Sequence, residues 1–68
     1  MKVKELINLL SKCDQEAEVN AECWEDVEVK VVAEYTNGKE TLVEIGDDLT
    51  YIDDLLVKND DYKKQVIE

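Results

Sequence analysis

The chain has no histidine, no arginine and no proline, and each absence removes a class of structure or function. Without histidine, no side chain titrates near neutrality to serve a nucleophile as its base. Cys13 and Cys23 therefore lack an activating partner, and Ser11, the only serine, falls on the polar side of an expected helix. Two cysteines ten positions apart make neither a disulfide framework nor a zinc site, and they read as reduced, half-buried thiols of a cytosolic protein. Without proline, and with only Gly38 and Gly46 as glycines, the chain has little punctuation and is expected to be mostly regular structure. Without arginine, eight lysines face eighteen aspartates and glutamates, for a formal net charge of −10. Such a surface repels a duplex and an anionic membrane alike, so direct binding to either is not expected.

No apolar run approaches the roughly 20 residues of a membrane span. The opening Met1-Lys2-Val3-Lys4 leads into an amphipathic stretch instead of the apolar core of a secretion signal. A cytoplasmic location follows as an expectation. What is present is a modest apolar complement, 44% of 68 residues, enough for one thin core and one small domain over residues 1–68.

Periodicity divides the chain into elements. Val3, Leu6, Ile7 and Leu10 recur at i, i+3, i+4 and i+7, with Cys13 continuing the stripe, and predict an amphipathic helix over residues 3–13. The period then changes to two. Ala17, Val19, Ala21 and Cys23 alternate with polar residues over 16–23, and Val27, Val29, Val31, Ala33 and Tyr35 do so over 27–35. Trp24-Glu25-Asp26 is the expected turn between these strands. Thr36-Asn37-Gly38 predicts a hairpin into a third strand over 39–45. A three-residue loop with Gly38 left-handed pairs Val31 with Val43 and Ala33 with Thr41, which keeps one face apolar and the other polar. It also pairs Val32 with Leu42 on the otherwise polar face.

Asp47 or Asp48 is placed to cap a further helix, and Leu49, Ile52, Leu55 and Leu56 give it an apolar stripe over 49–58. Tyr62, Val66 and Ile67 predict either a last helical stretch over 60–67 or a frayed end. The expected fold class is α+β in two layers: a helix, a three-stranded antiparallel meander and one or two C-terminal helices on the odd-numbered sheet face.

Paired carboxylates such as Asp47-Asp48, Asp53-Asp54 and Asp60-Asp61 raise the question of acid–base or metal chemistry. Acid–base work needs a cleft that separates two pKa values, which so thin a core does not supply. A calcium loop needs a central glycine that neither the stretch from Asp47 nor that from Asn59 contains. No phosphate-cradling glycine loop is present. The expectation is a protein that is not an enzyme and carries neither cofactor nor metal.

Binding is the remaining class. If the odd strand positions are buried, Glu16, Glu18, Glu22, Glu28, Glu34, Glu40 and Glu44 share the outer sheet face with Lys30. Alternate residues on a strand repeat every roughly 6.6 Å and strands lie roughly 4.8 Å apart. Two such strands, extended by Asp47, Asp48, Asp53 and Asp54, approach the charge spacing of a nucleic-acid strand, roughly 3.4 Å. That is the physical basis of a nucleic-acid mimic, whose partner is a basic, nucleic-acid-binding protein. Trp24 is either an edge of the core or an aromatic anchor in the interface. The competing reading is a small structural or regulatory accessory protein that self-associates, as a homodimer, through the Val32–Leu42 patch.

The opening Val3-Lys4-Glu5-Leu6-Ile7-Asn8-Leu9-Leu10, followed by Asp14-Gln15-Glu16-Ala17-Glu18-Val19, resembles short phage and prophage proteins of bacteria. Those begin with a V-x-E-L-I-x-x-L helix and continue through D-P-x-A-x-V into a strand; Gln15 stands here where that pattern has proline. The resemblance implies a helix-then-meander fold and a mobile-element origin, in a bacterial host cell. In size and charge alone the chain is similar to anti-CRISPR proteins, small acidic inhibitors that block nucleic-acid-binding effectors.

Overall fold

The computed structural model describes residues 1–21 and 28–68. The expected end of the first strand at Glu22 and Cys23, the turn at Trp24 and the start of the second strand at Val27 lie outside the described residues. The elements are α1 (Val3–Leu10), β1 (Glu18–Ala21), β2 (Val31–Thr36), β3 (Thr41–Gly46), α2 (Thr50–Ile52) and β4 (Lys63–Val66). A π-helical segment, Asp53–Asn59, continues α2 without a break.

The fold is α+β, as expected, but the sheet is a four-stranded mixed one and not a three-stranded meander. Its order is β1-β3-β2-β4. β1 lies parallel to β3, with Val19 level with Val43, while β2 is antiparallel to both β3 and β4. A parallel neighbour cannot be reached through a tight turn. The chain therefore leaves β1, skips a position and enters the sheet again at β2.

The last strand corrects the expectation of a helix or a frayed end over 60–67. β4 pairs Lys63 with Thr36 and Val66 with Ala33, and the Ile67 N–H extends the ladder to the Val32 carbonyl at 2.9 Å. The spacing of Tyr62, Val66 and Ile67 had fitted one helical face. In the strand, Ile67 turns toward one core, and Tyr62, just ahead of β4, packs into the other.

The hairpin register also differs. Thr36 pairs with Thr41 and Val31 with Gly46, leaving a four-residue loop from Asn37 to Glu40. Polar side chains close it. Asn37 Oδ1 accepts from the Lys39 and Glu40 N–H groups, both at 2.9 Å, and the Gly38 N–H donates to Thr36 Oγ1 at 3.3 Å. Gly38 is left-handed, with φ +89°, as the sequence predicts.

This register puts the odd positions of β2 on the same face as the even positions of β3. Each face has its own helix and core. On one, Cys13, Val32, Val43 and Ile67 pack with Leu6, Leu9 and Leu10 of α1. On the other, Ala33, Tyr35, Leu49 and Tyr62 pack with Ile52 and Leu56. The molecule is thus layered helix–sheet–helix, which corrects the two-layer arrangement. Val32 and Leu42 belong to opposite clusters, so the expected apolar pair on a wet face does not form.

Local causes account for the helix ends. At the C-terminus of α1, the Gln15 side-chain amide donates to the Leu10 and Cys13 carbonyls, each at 2.9 Å, satisfying acceptors the helix leaves open. A proline at this position would offer no such amide. Ahead of α2, Leu49 takes φ +60° although it carries a branched side chain. That conformation is costly for any residue but glycine. Burial of Leu49 to 0% exposure offsets the cost. No helix among the described residues is long and apolar enough to cross a membrane.

Candidate acidic binding surface

Both faces of the central strands are covered, so the carboxylates expected on one open sheet face divide among different surroundings. Glu34 lies on the α1 face, half-buried, and its Oε2 accepts from the Asp14 N–H at 2.8 Å. Glu44 lies on the opposite face at 6% exposure, and Asn20 Nδ2 donates to its Oε1 at 3.3 Å. These two residues hold the fold together, and they do not share a surface.

Asp53 is likewise built in. Its Oδ1 accepts from the Tyr35 hydroxyl at 2.6 Å and its Oδ2 from Lys64 Nζ at 3.0 Å. Burial pushes this carboxyl up, but the bonds from Tyr35 and Lys64 outweigh it and hold the group below its ordinary value. Lys64 also sits 5.9 Å from the centre of the Tyr35 ring. The three side chains tie the π-helical segment to β2 and β4.

The remaining expected residues are exposed. Glu16 and Glu18 stand at the start of β1, and Glu28 lies 3.9 Å from the N-terminal amino group. Glu40, in the hairpin loop, accepts a short hydrogen bond from the Tyr62 hydroxyl. That bond, with burial next, pushes the Tyr62 phenol up to about 12. Asp47 is 3.4 Å from Lys30. Asp48 Oδ1 accepts from the Thr50 N–H at 3.0 Å, fixing the entry to α2. Asp54 pairs with Lys58 one turn on, at 3.1 Å. Trp24 lies outside the described residues.

The exposed acids around α2 have company that the sequence pattern did not single out. Tyr51 is 69% exposed, between Asp48 and Asp54, and Leu55 follows it one turn later at 40%. Reading Leu49, Ile52, Leu55 and Leu56 as one stripe assumed a regular helix. In the π-helical segment Leu55 turns outward and Leu56 inward. The signal for Tyr51 was available: it is the only aromatic residue on the polar side of the predicted stripe.

Cys13 is buried, and burial together with the nearby charge of Glu34 raises its thiol pKa. A thiol so placed is a weak nucleophile. Among the described residues no three carboxylates or thiols converge in a way that would hold a metal ion. Around α2, Asp48, Tyr51 and Asp54 are exposed, with Asp48 bonded to the Thr50 N–H and Asp54 paired with Lys58. No protein-family model, no curated protein and no solved structure matches the chain.

Proposed function

We propose that this chain is a non-enzymatic acidic binding protein of phage origin, which occupies a basic, nucleic-acid-binding site on a host protein in place of DNA or RNA. The observation that carries the reading is the exposed Tyr51, with exposed Asp48 and Asp54 three positions before and after it in the chain. Carboxylates stand in for phosphates, and an aromatic face offers the stacking surface a base would present. A formal charge of −10 steers a cationic partner toward the molecule and makes the encounter sensitive to salt. The surface lies on the α2 side and not across the sheet, because Glu34, Glu44 and Asp53 are engaged internally.

The test is capture from a bacterial lysate at low salt with the full chain immobilised, followed by elution with salt or with added nucleic acid. A basic nucleic-acid-binding protein should elute in both ways and be lost from a Tyr51→Ala, Asp48→Asn, Asp54→Asn variant. Asparagine keeps the oxygen that accepts from Thr50, so the entry to α2 survives the change. Undiminished capture by that variant, or the absence of any salt-eluted partner, would sink the reading.

A further inference from the structure

The loop between β2 and β3 holds the one asparagine of the chain that precedes a glycine. Asn8, Asn20 and Asn59 are followed by Leu9, Ala21 and Asp60, and Asn37 by Gly38. Attack by the next residue's backbone nitrogen on an asparagine side-chain carbonyl closes a five-membered ring. A side chain on that next residue hinders the closure, and glycine has none. Asn37 and Gly38 are both exposed, and no atom lies within 4 Å of the place a Cβ of Gly38 would take. The loop borders a groove of about 270 Å³ lined by Thr36, Asn37, Gly38, Asp61 and Lys63, which leaves room for water beside it.

The fold also prepares the oxygen on which charge develops. Asn37 Oδ1 accepts from the Lys39 and Glu40 N–H groups, both at 2.9 Å. Attack at Cγ turns that carbonyl oxygen into an oxyanion. Two donors already at hydrogen-bond distance stabilise the oxyanion more than they do the neutral amide. The attacking nitrogen is held loosely by comparison. Its N–H donates to Thr36 Oγ1 at 3.3 Å, beyond the usual range of an N–H···O bond. A loop that fixes the oxygen and leaves the nitrogen free to move favours the reaction over the unfolded chain, where neither donor is in place.

We infer that Asn37 is a site of self-modification in the folded protein, where the Gly38 nitrogen displaces ammonia from the Asn37 side chain. Hydroxide takes the proton of the Gly38 N–H, and the nitrogen lone pair forms the N–Cγ bond. The Cγ–Nδ2 bond then breaks, and Nδ2 leaves as ammonia with a proton from water. Water opens the resulting succinimide at either carbonyl. Opening at Cγ gives aspartate, and opening at the Asn37 main-chain carbonyl gives isoaspartate, in which the chain runs through Cγ. Either product adds one negative charge to a molecule of net charge −10. Aspartate keeps an acceptor for the Lys39 and Glu40 N–H groups, whereas isoaspartate lengthens the backbone by one carbon and breaks that arrangement. The inference is independent of the acidic surface around α2.

The test is mass spectrometry with peptide mapping of the full chain, incubated in mildly alkaline buffer both folded and unfolded in guanidinium chloride. The peptide holding Asn37 should gain the mass of an amide-to-acid exchange and separate into aspartate and isoaspartate forms. Asn8, Asn20 and Asn59 should stay intact, and the folded sample should convert at least as fast as the unfolded one. Gly38→Ala, shown by circular dichroism to be folded, should slow the loss several-fold. Persistence of Asn37 in the folded chain while the unfolded chain converts overturns the proposal, since the fold then protects the residue. So does conversion to aspartate alone, the mark of direct hydrolysis by water, or a rate that Gly38→Ala leaves unchanged.

Discussion

The Tyr35 side chain is wholly buried in the sheet's α2-side core, and its hydroxyl donates to Asp53 at 2.6 Å. The bond joins β2, one residue short of its end, to the first residue of the π-helical segment, and Lys64 of β4 also bonds Asp53. Removing the hydroxyl leaves Asp53 with one charged partner and a lost acceptor bond. Tyr35→Phe is expected to cost about 1–2 kcal/mol of stability, measured by urea denaturation, with little change in far-ultraviolet circular dichroism.

The same pair sets the behaviour in acid. The Asp53 carboxyl is held below its ordinary value of 3.8 in the folded state. The stability it contributes is complete above that value and is lost as the pH falls through the lower folded value, because the unfolded chain takes up its proton first. Asp53→Asn should flatten the acid limb of the stability curve in that window, as read by denaturation at a series of pH values.

In alkali the sign reverses. Tyr35 is raised above the ordinary 10.0, first by burial and then by its bond to Asp53, and Tyr62 is pushed up to about 12 by its bond to Glu40. Both favour the protonated, folded state. Their contribution is complete below pH 10 and declines as the pH rises toward the folded values. Absorbance of ionised tyrosine should therefore show Tyr62 ionising near 12, and Tyr35 ionising well above the ordinary value or only with unfolding. Tyr62→Phe should remove the step near 12.

Leu49 and Gly38 separate backbone strain from packing. Leu49→Ala removes a fully buried side chain and keeps the left-handed backbone, at an expected cost of about 2–4 kcal/mol. Leu49→Gly removes the same side chain and also the strain. Glycine here should be at least as stable as alanine, against the usual order, when the two are compared by thermal denaturation.

At Gly38 a Cβ would meet nothing within 4 Å, so only its φ of +89° opposes substitution. Gly38→Ala should cost roughly 1 kcal/mol. Gly38→Asn should cost less, since asparagine tolerates this region better.

Much of the architecture was legible in the sequence. The first helix, the cores of three strands, the left-handed Gly38 and the helical stretch after Leu49 all follow from local period and turn chemistry. What misled was the premise that the sheet has one wet face. Under that premise Val32 looks like an intrusion and parity selects a three-residue loop. With helices on both faces, Val32 is a core residue at 1% exposure, and polarity no longer fixes the register. β4 was hidden for another reason. Lys63-Lys64-Gln65-Val66 has little strand character of its own, and its place is set by the edge of β2.

The candidate site was legible in its charge and illegible in its geometry. No pattern along the chain distinguishes Glu44, which Asn20 holds inside, from Glu18 on the same face two strand positions away from Asn20. Nor does any pattern along the chain show that Tyr51 is 69% exposed. Asp48 and Asp54 also make bonds within the fold, to the Thr50 N–H and to Lys58, but both stay exposed, whereas Glu44 does not.

The two apolar clusters lie back to back on the same pair of strands, with Val32 and Val43 on one side and Ala33 and Tyr35 on the other. Neither cluster has a sheet of its own. Peeling α1 away wets one side of β2 and β3, and peeling α2 away wets the other. The loss of either leaves strands that the surviving helix is too short to hold. Such a molecule is expected to melt in one step, with equal calorimetric and van't Hoff enthalpies, and without a half-folded form in which one core outlasts the other.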